Sequence, residues 1–337
     1  ACVNNTPKIE LPMEMNIPTI DLPRVVIIGC GFAGLKLAKT LDDKKYQVVL
    51  LDKNNYHTFQ PLLYQVASSG LEPDSIVYPV RKVFKGKAHF HFRMAVVQEI
   101  QDERNEVLTN IGLLTYDYLV IATGAISNFF GMKKVEHHAL TMKSLLDSLD
   151  LRSVILQNFE RALNTSDLRE RESLMNFVIV GAGPTGVELA GALAELKRNV
   201  LPKDYPDLDI RLMQIHLVEA ADRVLASMSI KASEKSLKFL KDLGINVWLK
   251  TRVQDYDGNT VFTNSNTMFS KTLIWSAGVK GAPIESFNGP MTNDHRIIVD
   301  NKNRVKGHSN IFAIGDVASI ETEQGGKGHA MLASVAG

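Results

Sequence analysis

A six-residue glycine pattern occurs twice in this chain, each time between an apolar run and a stretch of helical spacing. The first copy is Gly29-Cys30-Gly31-Phe32-Ala33-Gly34. It follows Arg24-Val25-Val26-Ile27-Ile28 and precedes residues 35–41, in which Leu35, Leu37, Ala38 and Leu41 recur at helical spacing. A second apolar run, Val48-Val49-Leu50-Leu51, then ends on Asp52. The second copy, Gly181-Ala182-Gly183-Pro184-Thr185-Gly186, begins about 150 residues later, roughly one domain length. Phe177-Val178-Ile179-Val180 precedes it, the spacing predicts a helix from about Thr185 to Lys197, and Ile215-His216-Leu217-Val218 ends on Glu219. Unbroken apolar runs of this length fit strands buried on both faces of a parallel sheet.

The chemistry of the pattern lies in its backbone. The first glycine permits a tight turn. The second lets the chain approach a pyrophosphate, and the third lets helix and strand pack closely. The helix N-terminus then offers unpaired N–H groups and a positive dipole end to phosphate. Asp52 stands about twenty residues past Gly31, where a carboxylate can accept bonds from both ribose hydroxyls. It could instead be a surface acid closing a strand. Pro184 suits the first helical position, where no N–H is needed. Glu219 lies roughly 30 residues past Gly186, longer than usual, and residues 203–209 read as an insertion between helix and strand. Glu219 would repel a 2′-phosphate and so favours NADH over NADPH. Arg223 could reach a phosphate or could be a solvated, ion-paired side chain.

Composition narrows the remaining classes. With 337 residues and a formal net charge of +1, the chain has room for about two domains and shows no basic excess to suggest nucleic acid. No run reaches the roughly 18 apolar residues of a membrane helix. The two cysteines, Cys2 and Cys30, cannot make a disulfide framework or a zinc site. His89, His91, His137 and His138 lack metal-ligand context, so no metal is expected. Residues 1–23, with prolines at 7, 12, 18 and 23, read as an extended N-terminal tail. Residues 88–121 and 245–275 alternate as strands, and 139–173 read as a helical connection.

Three further segments order the two cradles. Tyr118-Leu119-Val120-Ile121 runs into Ala122-Thr123-Gly124-Ala125, and Leu273-Ile274-Trp275-Ser276 runs into Ala277-Gly278 at the matching place in the second unit. Near the end, Ile311-Phe312-Ala313-Ile314 leads to Gly315-Asp316. Glycine allows close approach to a ligand, and an Asp can accept a hydroxyl bond.

This order resembles the two-dinucleotide-binding-domain flavoprotein superfamily, over residues 24 to 337. The resemblance implies an α/β fold with two Rossmann-like dinucleotide-binding domains, glutathione-reductase-like. The expected FAD-binding domain is discontinuous, residues 24–138 and 286–337, and the NADH-binding domain is 139–285. It implies FAD held by Gly29, Gly31, Phe32, Ala33, Gly34, Asp52, Lys53, Pro61, Leu62, Ala122, Thr123, Gly124, Gly315 and Asp316. It implies NADH held by Gly181, Gly183, Pro184, Thr185, Gly186, Glu219, Ala277 and Gly278.

Residues 53–75 contain no cysteine, which excludes the dithiol chemistry of the disulfide reductases and sulfide–quinone reductases. The segment 55–67, Asn55-Tyr56-His57-Thr58-Phe59-Gln60-Pro61-Leu62-Leu63-Tyr64-Gln65-Val66-Ala67, resembles that of type II NADH dehydrogenases, single-subunit NADH:quinone oxidoreductases that pump no protons. Residues 186–195 and 197–202 resemble the same family. The resemblance implies a proton-handling role for Glu188; the alternative is a carboxylate stabilised by the helix N-terminus. It also implies a quinone acceptor, menaquinone or ubiquinone, a peripheral place on the cytoplasmic face of the inner membrane, and leaves a homodimer open. Residues 327–336 resemble the start of the family's helix beside the flavin, beyond which the family continues into quinone-site glutamines and an amphipathic membrane anchor, so a longer natural chain is expected. A ferredoxin- or rubredoxin-type NAD(P)H reductase and a flavin-binding redox sensor stay open as alternatives.

Overall fold

The computed structural model describes residues 13–320. They form two compact units. Residues up to His57, Tyr78–Ala125 and the chain from Lys280 onward make the first; Thr58–Val77 and Ile126–Val279 make the second.

The first unit is built on a five-stranded parallel sheet in the order Ile311–Ala313, Tyr118–Ile121, Arg24–Ile28, Gln47–Asp52, Phe90–Met94. Its middle strand shows why the sequence runs apolar without a break. Val26 and Ile28 face one buried cluster with Leu119, Ile121 and Val299, while Val25 and Ile27 face another with Ala38, Phe84 and Phe92. Side chains alternate across a strand, so a strand covered on both faces needs apolar residues at every position. An antiparallel sheet of Val97–Gln101, Glu106–Thr109 and Gly112–Thr115 adjoins it in the chain. The late strand Ile311–Ala313 pairs with Tyr118–Ile121, which returns the end of the described chain to the first sheet.

The second unit repeats the plan. Its four-stranded parallel sheet runs Asn246–Trp248, Gln214–Val218, Asn176–Val180, Thr272–Trp275. An antiparallel sheet of Val253–Tyr256, Thr260–Thr263 and Thr267–Phe269 corresponds to that of the first. The connecting helix Leu145–Asn164 starts at a capping box: Ser144 Oγ accepts the Asp147 N–H at 3.1 Å, and Asp147 Oδ2 accepts the Ser144 N–H at 3.2 Å. Leu151, Ile155 and Phe159 on its inner side are fully buried.

Two sequence expectations meet a different arrangement. The N-terminal segment is extended, but from residue 13 it is no free tail. Met15 and Ile17 are buried in the first unit's core, the Met15 N–H donates to the Leu113 carbonyl at 2.8 Å, and the Leu113 N–H donates to the Met13 carbonyl at 2.9 Å. Met15 and Ile17, two residues apart, share the buried side while Met13 is exposed, and Glu14 forms an isolated bridge to Leu113. The compact units also divide at other points than 138/139 and 285/286. Val135, in the helix Lys133–His138, is buried among Val178, Val253 and Leu273 of the second unit. Among the described residues no helix is long and apolar enough to cross a membrane.

Candidate functional site

Each glycine cradle sits at the carboxyl end of an inner strand of its sheet, and the same backbone bonds hold both. The Gly29 N–H donates to Leu51 O and the Ala122 N–H to Ile28 O, each at 2.8 Å. The Gly181 N–H donates to Val218 O and the Ser276 N–H to Val180 O, also at 2.8 Å. Each turn is therefore closed between two neighbouring strand ends.

The three glycines of each cradle do different work. Gly29 and Gly181 have φ of +105° and +100°, a region that side chains resist. A Cβ at Gly34 would lie 1.9 Å from Gly29 O, and one at Gly186 would lie 1.9 Å from Gly181 O. The third glycine is thus required by the contact between helix and turn. The middle glycines differ: a Cβ at Gly31 or Gly183 would meet nothing within 4 Å. The fold leaves that side of each turn open, as close approach of a diphosphate requires. The helices Phe32–Thr40 and Pro184–Asn199 begin immediately afterwards, with Gly31 and Gly183 as their N-caps, so Pro184 and Thr185 open the second helix as expected.

The two acids are placed alike. Asp52 Oδ2 accepts the Cys30 N–H at 2.6 Å and Oδ1 accepts the Asn54 N–H at 2.7 Å. Glu219 Oε2 accepts the Ala182 N–H at 2.7 Å and Oε1 accepts the Ala221 N–H at 2.8 Å. Each carboxylate oxygen keeps a lone pair for a hydroxyl, but both acids first of all fasten their glycine turns. Burial pushes the Asp52 carboxyl upward, opposed by the N–H groups of Asn54 and Cys30 and by the charges of Lys53 and His57. Cys30 is buried, and burial together with Asp52 pushes its thiol up to about 12, which leaves it an unreactive packing residue. Arg223 donates to the carbonyls of Met228 and Ala226, so it braces its own loop.

Around the first cradle, Gly315 packs against the helix start: a Cβ there would lie 3.0 Å from Ala33 Cβ. Asp316, the next residue, is exposed. Thr123 follows the strand Tyr118–Ile121, and its Oγ1 is buried with no hydrogen-bond partner. Gly124 beside it has φ +74° and an open side. A buried orphan hydroxyl next to an open glycine turn is what an absent polar ligand would satisfy. The residues of this cradle fit a dinucleotide. Lys53 is exposed. Pro61 and Leu62 lie in the short turn Gln60–Leu62, within the second unit, and are not gathered with the first cradle in one compact body.

In the second unit, Ala277 closes on Gly181, where a Cβ would meet Ala277 Cα at 2.7 Å. Gly278 has φ +125° and lies under Phe130, whose ring edge with Phe129 surrounds Trp275. Phe129 and Phe130 escaped the sequence reading, since nothing in their spacing links them to Gly278. Glu188 is the fifth residue of the helix Pro184–Asn199 and is exposed as a residue, yet partial burial of its carboxyl raises its pKa. The residues 327–336 lie outside the described residues.

Among the described residues no group of His, Cys, Asp and Glu could hold a metal.

Comparison with known proteins agrees with this plan. Residues 23–337 match the pyridine nucleotide-disulphide oxidoreductase family. The chain is 35% identical over 324 residues to the type II NADH:quinone oxidoreductase Ndh of Mycobacterium tuberculosis, covering 90% of this chain and 69% of that protein. It is 34% identical to the external alternative NAD(P)H-ubiquinone oxidoreductase B3 of Arabidopsis thaliana, covering 88% and 55%. Among solved structures, NDH2 of Plasmodium falciparum in complex with NADH superposes with a TM-score of 0.84 at 27% identity, covering 89% of this chain and 65% of that one. The chain thus spans between about half and just over two thirds of the length of these relatives. By sequence and by fold, the chain belongs to the pyridine nucleotide-disulphide oxidoreductase family and, within it, to the type II NADH:quinone oxidoreductases, enzymes that use FAD and NADH.

Proposed function

We propose that this chain holds FAD in the cradle at Gly29–Gly34 and NADH in the cradle at Gly181–Gly186, and that the whole protein passes electrons from NADH to a quinone without pumping protons. The observation that carries this reading is the pair of preformed turns, each shut against side chains at its first and third glycines and open at the middle one. The flavin, when bound, supplies the acceptor for hydride from nicotinamide and the donor for a two-electron acceptor. The protein's part is geometric and electrostatic. Gly31 and Gly183, with the helix starts behind them, offer N–H groups to the diphosphates. Asp52 and Glu219 turn a carboxylate toward the ribose side while fastening the turns, and Thr123 Oγ1 supplies a hydroxyl in search of a partner. Glu219 disfavours a 2′-phosphate by like charge. Glu188, whose carboxyl holds its proton above the ordinary range, is suited to give or take a proton on the NADH side. Lys53, Pro61, Leu62 and Asp316 belong to the flavin side on the strength of the resemblance alone.

Quinones are apolar, so their reduction places the whole protein peripherally on a membrane; the cytoplasmic face of the inner membrane and a homodimer are the finer forms of this reading. The deciding experiment is release of cofactor by acid, followed by chromatography, beside NADH turnover with a soluble quinone and with a small electron-carrier protein. FAD and preferential quinone turnover are expected. Recovery of FMN, or preference for the carrier protein, overturns the assignment.

A further inference from the structure

The turn residue Cys30 is held at both of its backbone groups. Its N–H donates to Asp52 Oδ2 at 2.6 Å, and its carbonyl lies 2.8 Å from His57 Nδ1. A carbonyl oxygen only accepts, so Nδ1 carries the hydrogen and His57 is the donor. Phe32 meets the His57 ring edge-on, with centroids 5.2 Å apart and planes at 80°. The second cradle has the same two bonds on the equivalent residue. The Ala182 N–H donates to Glu219 at 2.7 Å, and the Ala182 carbonyl accepts the Leu225 backbone N–H at 2.8 Å. Leu225 reaches that place with φ +48°, a conformation a leucine rarely adopts. The chain thus makes one contact in two ways, by a backbone amide in one cradle and an imidazole in the other.

The consequence follows from peptide planarity. In a trans peptide the carbonyl of one residue and the N–H of the next point in opposite directions. A bond that fixes Cys30 O therefore fixes the N–H of Gly31, the middle glycine whose side of the turn is open. Leu225 fixes the N–H of Gly183 by the same means.

We propose that His57 is a positioning residue of the first cradle: its Nδ1–H pins the Cys30–Gly31 peptide and aims the Gly31 N–H at the cofactor diphosphate. The inference rests on the reading that this cradle holds FAD. It assigns His57 a role through the turn, to which its Nδ1 is committed.

The test compares H57N, H57Q and H57L in the full chain. An Asn amide reaches the position of Nδ1, a Gln amide reaches that of Nε2, and Leu removes the donor. The dissociation constant for FAD, followed by flavin fluorescence, should rise about fivefold to tenfold in H57L and H57Q and stay near wild type in H57N. Equal weakening in H57L and H57N, or no weakening in H57L, overturns the proposal. NADH affinity of the same variants, measured by quenching of nicotinamide fluorescence, should not move; a fall there in H57L would show general damage and also overturn it. The nitrogen-15 shifts of the His57 ring and the exchange rate of the Gly31 amide, both measured without flavin, decide the matter independently. A proton on Nδ1, and a Gly31 amide that exchanges faster in H57L than in H57N, are expected. A proton on Nε2 alone overturns the brace. If wild type binds no FAD, the reading of the cradle fails, and these flavin-free measurements still settle the role of His57.

Discussion

Glu219 accepts the backbone N–H of Ala182 at 2.7 Å, and this bond ties the acid at the end of one strand to the turn at the end of its neighbour. The carboxylate also accepts the Ala221 N–H at 2.8 Å, so two donors converge on it before any ribose does. The acid proposed to select the nucleotide is in this way part of the wall of the cradle.

Replacement of Glu219 by Gln should therefore have two effects. The amide offers one accepting oxygen, so one of the two backbone N–H groups faces an NH2 group instead. The protein without nucleotide should lose about 1–2 kcal/mol of stability, and the NADH preference over NADPH, read as the ratio of kcat/KM values, should narrow. A denaturant melt and steady-state kinetics check both. Unchanged stability would show that the bond to Ala182 contributes nothing, and a wild type that uses both nucleotides equally would remove the selective role.

The glycines of one cradle should respond in opposite ways. Gly186→Ala would put a Cβ 1.9 Å from the Gly181 carbonyl oxygen, a backbone contact that cannot be relieved locally, and should prevent the second unit from folding. Gly183→Ala meets nothing within 4 Å and should keep its stability within about 0.5 kcal/mol, yet it places a methyl group where the diphosphate must approach. Circular dichroism and NADH titration separate the two outcomes. A folded G186A, or a G183A that binds NADH normally, would contradict the division of labour among the glycines.

Much of this was legible in the sequence because apolar runs, glycines and terminal acids are local signals. Val25–Ile28 and Phe177–Val180 became inner strands, and Asp52 and Glu219 stand at the ends of the strands beside them. Features that depend on how distant segments return were not legible. His57 stands in the segment 55–67 and forms part of the short strand Tyr56–Thr58, but its bond to Cys30 O depends on the chain doubling back after Gln47–Asp52, which no local pattern reveals. The equivalent donor in the other cradle is a leucine backbone amide, which no pattern of residue types could single out. Residues 58–77 pack in the second unit although their neighbours on both sides belong to the first, because Leu63, Val66 and Ala67 are buried in a short helix that packs against Leu145–Asn164 and Pro184–Asn199.

Glu188 carries a prediction about pH. Partial burial lifts its carboxyl above the ordinary 4.5, so the folded protein holds that proton more tightly than the unfolded chain. The stability this provides is present at low pH and is lost as pH rises through the raised value. Glu188→Gln should remove that loss, so the difference in denaturant midpoint between variant and wild type should move in favour of the variant as pH rises from 4.5 toward neutrality. In turnover, the variant should lose the ionisation that lies above the ordinary glutamate range and fall in kcat more than it rises in KM. A pH-independent difference in midpoint would refute the shift, and an unaltered kcat profile would leave Glu188 outside the proton path.

Thr123 gives a prediction in which stability and binding move in opposite directions. Its Oγ1 is buried without a partner, and an unsatisfied buried hydroxyl costs about 1–3 kcal/mol. Valine has nearly the same shape without the hydroxyl. If the hydroxyl serves only the fold, Thr123→Val should bring no change in ligand affinity. If it waits for the flavin nucleotide, the variant should be more stable than wild type when stripped of FAD and should bind FAD more weakly, by up to about tenfold. Thr123→Ser, which keeps the hydroxyl and loses a methyl group, should show the reverse: lower stability from the lost packing, with affinity largely kept. Melting temperatures of the stripped proteins and FAD titrations of all three provide the check. A valine variant that is both less stable and equally tight would mean that a protein group already satisfies Thr123 and that the first cradle meets its ligand elsewhere.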